Sequence, residues 1–127
     1  MAHPIVFISH FSVRAGRLEA LKLLARDVAA SLETGKPQTS VYLIYLDVEG
    51  MHATFVHVFG DSAAMDRHFE GAQERSAAAM KFMEPERWEI YGQPSDAALN
   101  AIRTAASAAG VAFEWQPEFV AGFSRTS

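Results

Sequence analysis

Cysteine is missing from this 127-residue chain. Disulfides, thiol nucleophiles and cysteine-based zinc or iron–sulfur centres are therefore excluded. Basic clusters are missing too. The 11 Lys and Arg residues are scattered along a chain of net charge −4, which leaves no electrostatic footprint for nucleic acid. No apolar run reaches the ~18 residues that would span a bilayer. Met1 to Ile5 contains no basic segment leading into such a run, so no secretion signal is read there. A cytoplasmic location is the expectation by default. The sequence also lacks a glycine-rich phosphate loop, an HExxH-type metal pattern and a serine in a nucleophile elbow.

What is present reads as globular. Half of the residues are hydrophobic and 20% are charged, and a chain of this length makes one ordinary domain with a real core. We read residues 1–127 as one unit, with a core at 5–92 and a C-terminal extension at 93–127. Ile5 to Phe11 is a β-favouring run. Leu18, Leu21, Ala25, Val28 and Leu32 recur at helical spacing, and Gly35 and Pro37 stop that helix. Val41 to Asp47 and His52 to Phe59 predict a hairpin across Glu49-Gly50. Asp61 or Ser62 caps a second helix with the stripe Ala64, Met65, His68, Phe69 and Ala72. Ala77 to Met83 continues as helix or turn until Pro85, and Trp88 to Tyr91 forms a short fourth strand. Ser95-Asp96 opens a further helix that ends before Gly110. Val111 to Trp115 and Phe119 to Phe123 are the predicted terminal strands. The last of these is expected to extend the sheet, on its own subunit or its partner's, with Phe119 and Phe123 facing inward.

The order β-α-β-β-α-β, then α-β, gives an α+β class: a ferredoxin-like antiparallel sheet with helices on one face. A sheet with one wet face alternates apolar and polar residues. These strands do not. Val41, Leu43 and Tyr45 oppose Tyr42, Ile44 and Leu46, and every one of them is apolar or aromatic. Covering the second face calls for another layer. A second copy of the sheet supplies it, so a homodimer is expected. The alternative is that the helix after Ser95 caps that face within one subunit.

Two segments carry a resemblance. Phe11 to Leu21 (FSVRAGRLEAL) has a strand end, a glycine and an amphipathic helix. Phe59 to Phe69 (FGDSAAMDRHF) joins a strand to a helix through an acidic cap, with His68 inside the helix. Together they resemble the antibiotic biosynthesis monooxygenase family of dimeric α/β-barrel proteins, over roughly residues 5–92. The resemblance implies a dimeric barrel and, for some members, oxygenase chemistry on aromatic polyketides without a cofactor. Those oxygenases rely on pocket Asn, Trp and Arg side chains. The only asparagine here is Asn100, in the extension. Haem-degrading relatives use a helix His as iron ligand, which makes haem on His68 an alternative to no cofactor at all.

The candidate site residues are few. His57 and His68 lie among apolar neighbours and titrate near neutral pH, which suits a general base. Each reads equally as a core histidine with one satisfied hydrogen bond. His10 shares a strand set with Val6 and Ile8, and His57 shares one with Phe55 and Phe59. If the two sets share a face, His10 and His57 meet in the cavity between sheet and helices. Three histidines could also hold a metal, but their spacing does not ask for one, and none is expected. Tyr45, Phe55, Trp88 and Met80, with His10, are the expected lining for a small apolar or aromatic ligand. Two functions remain open: a monooxygenase or isomerase acting on such a molecule, and a non-catalytic ligand-binding or scaffold homodimer.

Overall fold

The computed structural model describes residues 3–125. Its elements are β1 (Ile5–Val13), α1 (Leu18–Gly35), β2 (Thr39–Leu46), β3 (His52–Phe59), α2 (Ser62–Phe69), α3 (Ala72–Ala79), β4 (Met83–Tyr91), α4 (Asp96–Ala109) and β5 (Ala112–Gln116). The strands form one sheet in the order β2-β3-β1-β4-β5. The first four are antiparallel, which is the ferredoxin-like arrangement, and β5 joins the β4 edge in parallel. The parallel pairing follows from α4 as a crossover connection. No helix among the described residues is long and apolar enough to cross a membrane.

Local chemistry explains the helix ends. The Asp61 carboxylate accepts from the Ala64 N–H at 2.8 Å and the Ser95 hydroxyl accepts from Ala98 N–H at 3.1 Å, each satisfying a donor that helix geometry leaves open. Gly110 closes α4 at a φ of 67°, a conformation that costs glycine nothing.

The odd residues of β1 (Ile5, Phe7, Ser9 and Phe11) are buried on the helix-covered face. Pairing Phe7 with His57 and His57 with Tyr42 sets which residues of β3 and β2 join them. Ile5, Phe59, Met65 and Ile90 are the largest side chains sealed completely, worth about 1.5–3 kcal/mol each in burial. They belong to one cluster with Phe7, Ala64 and Leu99; a second cluster of Phe11, Leu21, Ala53 and Met83 lies elsewhere on the same face. Because Leu99 of α4 packs into the first cluster, α4 covers the same face as α2. It does not cap the other face, which no helix of the described residues covers.

Two irregularities adjust the strands. Along β4 the register passes from Arg87 opposite His10 to Pro85 opposite Phe11, so Glu86 is extra. A bulge of this kind tolerates a proline, and β4 therefore starts at Met83 rather than at Trp88. Along β2, Thr39 pairs with Phe59 and Val41 with Val58, so Ser40 is extra.

The expected strand at Phe119 to Phe123 does not form. β4 ends at Tyr91, opposite Gln116 of β5, and the β4–β5 ladder stops there. Phe119 stacks on His3 at 4.1 Å. Val120 and Phe123 remain 84% and 81% exposed, so the inward-facing aromatics read from the sequence are not seen on this subunit.

Candidate functional site

The bulge at Ser40 builds the site. In a regular strand, residues 39 and 42 would point to opposite faces. The extra residue turns both Thr39 and Tyr42 toward the helices. Thr39 Oγ1 and His68 Nδ1 share a hydrogen bond of 2.8 Å, which ties β2 to α2. His57 donates from Nδ1 to the Phe7 carbonyl at 3.0 Å. A carbonyl can only accept, so Nε2 is the basic nitrogen of that ring. The His57 and His68 rings meet edge to face at 5.2 Å, and Tyr42 lies 5.1 Å from the first and 6.0 Å from the second. Phe7, Phe59 and Phe69 close around them.

The electrostatics follow from this enclosure. His57 is 6% exposed and His68 3%. Burial lowers His57 to about 4, with Arg75 acting in the same direction against the Phe7 carbonyl. Burial also lowers His68 to about 3, assisted by His57, Arg75 and Lys36. Burial raises the Tyr42 hydroxyl to about 12, with Arg75 pulling the other way. All three groups are neutral at pH 7. Arg75, on α3, holds its place by donating to the carbonyls of His68 at 2.5 Å and Glu70 at 3.1 Å, groups that the end of α2 leaves unpaired.

Two openings reach this cluster. A cleft of about 360 Å³ between α1 and β2 is lined by Leu21, Ala25, Ala29, Tyr42, Ile44 and Leu46, with Lys22 and Arg26 among its other residues. A smaller recess of about 150 Å³ lies beside His68, too small for a porphyrin. Among the described residues, no group of three His, Asp or Glu side chains is placed to hold a metal ion.

The structure divides the residues singled out from the sequence. His57 and His68 come together. Phe55 shares their face, 6.3 Å from Tyr42, and packs with Met80 against the second cluster. Trp88 packs against the first cluster, alongside Phe113 and Trp115. His10 and Tyr45 are elsewhere: both flank Thr54 on the open face, so His10 and His57 do not meet. His10 donates from Nε2 to Glu89 at 2.9 Å, and Arg87 links Glu89 to Glu114 at 3.0 and 3.2 Å. Thr39 and Arg75 went unnoticed in the sequence, because one needs the bulge and the other lies on a helix with no apolar stripe. Tyr42 was visible only as one aromatic among several.

No family model matches the chain, and no curated protein matches its sequence. Solved structures share its fold. MupZ from Pseudomonas fluorescens superposes with a TM-score of 0.72 at 18% identity, over 98% of this chain and 91% of that one. SnoaB, a cofactor-independent oxygenase from Streptomyces nogalater, gives 0.61 at 15% identity over 74% and 96%. A Caulobacter crescentus protein provisionally assigned as an antibiotic biosynthesis monooxygenase gives 0.61 at 17% identity over 70% and 88%. The chain thus has the fold of these monooxygenase-like proteins, and the superposition on MupZ takes in the C-terminal extension as well.

Acid should unfold this protein through the two histidines. Unfolded, each binds a proton near pH 6.5; folded, they resist to about 4 and about 3. Stability is therefore complete above pH 6.5 and is lost as pH falls toward 4, by an amount on the order of a few kcal/mol. Denaturant melts at pH 7, 5.5 and 4.5 check this. The loss should shrink markedly in a His57→Gln, His68→Gln double variant, and an unchanged loss would assign the effect to other groups.

Proposed function

We propose that this protein is a monooxygenase-like enzyme that acts on a small apolar or aromatic molecule without a bound organic cofactor. The observation that carries the reading is the neutral His57–His68 pair, with Tyr42, beside the apolar cleft between α1 and β2. The fold shared with SnoaB supports it. The substrate's ring would lie against Tyr42, with Phe55 and Met80 beneath and Trp88 farther along the sheet. Nε2 of His57, or His68, would take a proton from a phenol or an activated methylene. A base held this far below neutrality is unprotonated and ready, and the imidazolium it forms is stabilised only by an anion beside it. The carbanion supplies that anion. Dioxygen adds to the carbanion, and the hydroperoxide loses water. One oxygen atom ends in a new carbonyl and the other in water, with all four electrons coming from the substrate.

The test is oxygen uptake with an anthrone, a tricyclic ring system with an acidified methylene. Uptake above the uncatalysed rate is expected, falling at least ~100-fold in the His57→Gln, His68→Gln variant, within the usual span of general-base effects. The low basicity of both rings also favours a second reading, a non-catalytic ligand-binding homodimer. A thermal shift on adding the anthrone, with no uptake, would support that reading instead.

We further propose that the open sheet face pairs with a second copy of the chain. Val6, Ile8, Val56 and Val58 lie on it alongside Leu43, 44% exposed, and Tyr45, 59% exposed, of the edge strand β2, and a patch of this kind calls for a partner. His10 and Tyr45 would then face the partner subunit rather than the ligand. Sedimentation should show a dimer at micromolar concentration that Leu43→Glu with Val56→Glu converts to monomer. A wild-type monomer under the same conditions would contradict the proposal.

A further inference from the structure

We propose that the recess beside His68 holds an anionic group of the substrate, the size of a carboxylate, so that the ligand of this site is an apolar or aromatic acid. The proposal rests on the site reading above and narrows its substrate class. The recess lies between the end of α1 and α2, with Lys36, Thr39, Ala64, Arg67, His68 and Glu70 among its lining residues. Lys36 is fixed there, because its Nζ donates to the Arg67 carbonyl at 2.7 Å. That bond uses one of its three N–H groups.

The charge in this corner is mostly of one sign. Lys36 and Arg67 lie in the wall, and the Arg75 guanidinium spans the carbonyls of His68 and Glu70 behind it. Besides the neighbouring His57 ring, the charges that bear on His68 are those of Arg75 and Lys36, both positive. Glu70 adds a carboxylate to the wall, and its side chain is on an exposed residue past the end of α2. A neutral apolar group seated here would leave ammonium and guanidinium donors without a ligand partner, and a cation would be repelled. An anion accepts charge-assisted hydrogen bonds from them.

Size and connection complete the argument. The recess of about 150 Å³ has the more polar lining and takes a small polar group, whereas the larger α1–β2 cleft of about 360 Å³ is mostly apolar and suits the ring. Tyr42 lines the cleft, His68 lines the recess, and the two rings are 6.0 Å apart. A ligand spanning both openings would bring its anion beside His68. An adjacent negative charge favours the imidazolium, so the substrate itself would restore the basicity that burial removes.

Calorimetric titration with 1-naphthoate and with 1-naphthalenemethanol separates the possibilities. The proposal expects the acid to bind at least ~10-fold more tightly than the alcohol. Lys36→Met and Arg67→Met should each remove most of that margin without changing the affinity for the alcohol. Arg103→Met, which removes a cation from α4, should leave the margin intact. Equal affinity for the two ligands would overturn the proposal while leaving the apolar cleft as a ring site. A margin that survives Lys36→Met and Arg67→Met, or that Arg103→Met also removes, would overturn it by placing the anion elsewhere. No binding of the acid up to millimolar concentration would overturn it as well, and the alcohol would then report separately on the cleft.

Discussion

Two imidazole rings enclosed between the sheet and α2 stay neutral while the protein is folded, chiefly because burial disfavours their charged forms, with Arg75 adding to the effect. Much of the local structure depends on how their polar atoms are satisfied. The Nδ1 of His57 is bound to the Phe7 carbonyl and that of His68 to Thr39. The first bond adds a side-chain tie across the β1–β3 pair. The second fastens α2 to the edge strand β2, and Arg75 fastens α3 to the end of α2. Replacing either ring by an apolar group of similar shape would remove a proton-binding liability but leave its partner without a hydrogen bond. The arrangement is thus a structural joint between the sheet and its helices.

The sheet divides these roles between its faces. The helix side carries the core and the histidine pair. The open side is apolar along β2, β3 and β1 and charged toward β4 and β5, where Arg87 pairs with Glu89 and Glu114 and His10 hydrogen-bonds Glu89. Such partly exposed pairs add little stability, but they give the face a polar end. In the apolar tail Val120 and Phe123 stay largely exposed, with the Arg125 guanidinium 4.7 Å from the Phe123 ring.

The helices and most strands were legible because their signals are local. Asp61 and Ser95 are caps, Gly110 is a C-terminal stop, and the stripe from Leu18 to Leu32 is a helix face. The apolar strands also read as a sheet that needs cover on both faces, and the helices cover one of them. That same property hid the site. With both alternating sets apolar, strand parity says nothing about which face is inward, so His10 and His57 could not be separated. Bulges hide still more: the extra residue at Ser40 reverses parity and brings Thr39 and Tyr42 to one side, and the one at Glu86 lets a strand run through Pro85. The tail was misread because apolar composition signals a need for cover without saying that a neighbouring strand is there to give it. Arg75 had no signal, since its helix carries no apolar stripe and its role depends on the end of α2.

The neutrality of the buried pair underlies the expected acid sensitivity, the proposed base chemistry and the proposed response to an anion. Nitrogen-15 chemical shifts of the His57 and His68 side chains, followed by NMR from pH 8 to pH 4 in the ligand-free protein, measure it directly. The account predicts that both rings remain neutral down to about pH 5, far below the 6.5 of an ordinary imidazole. Titration of either ring near its ordinary value of 6.5 would contradict it.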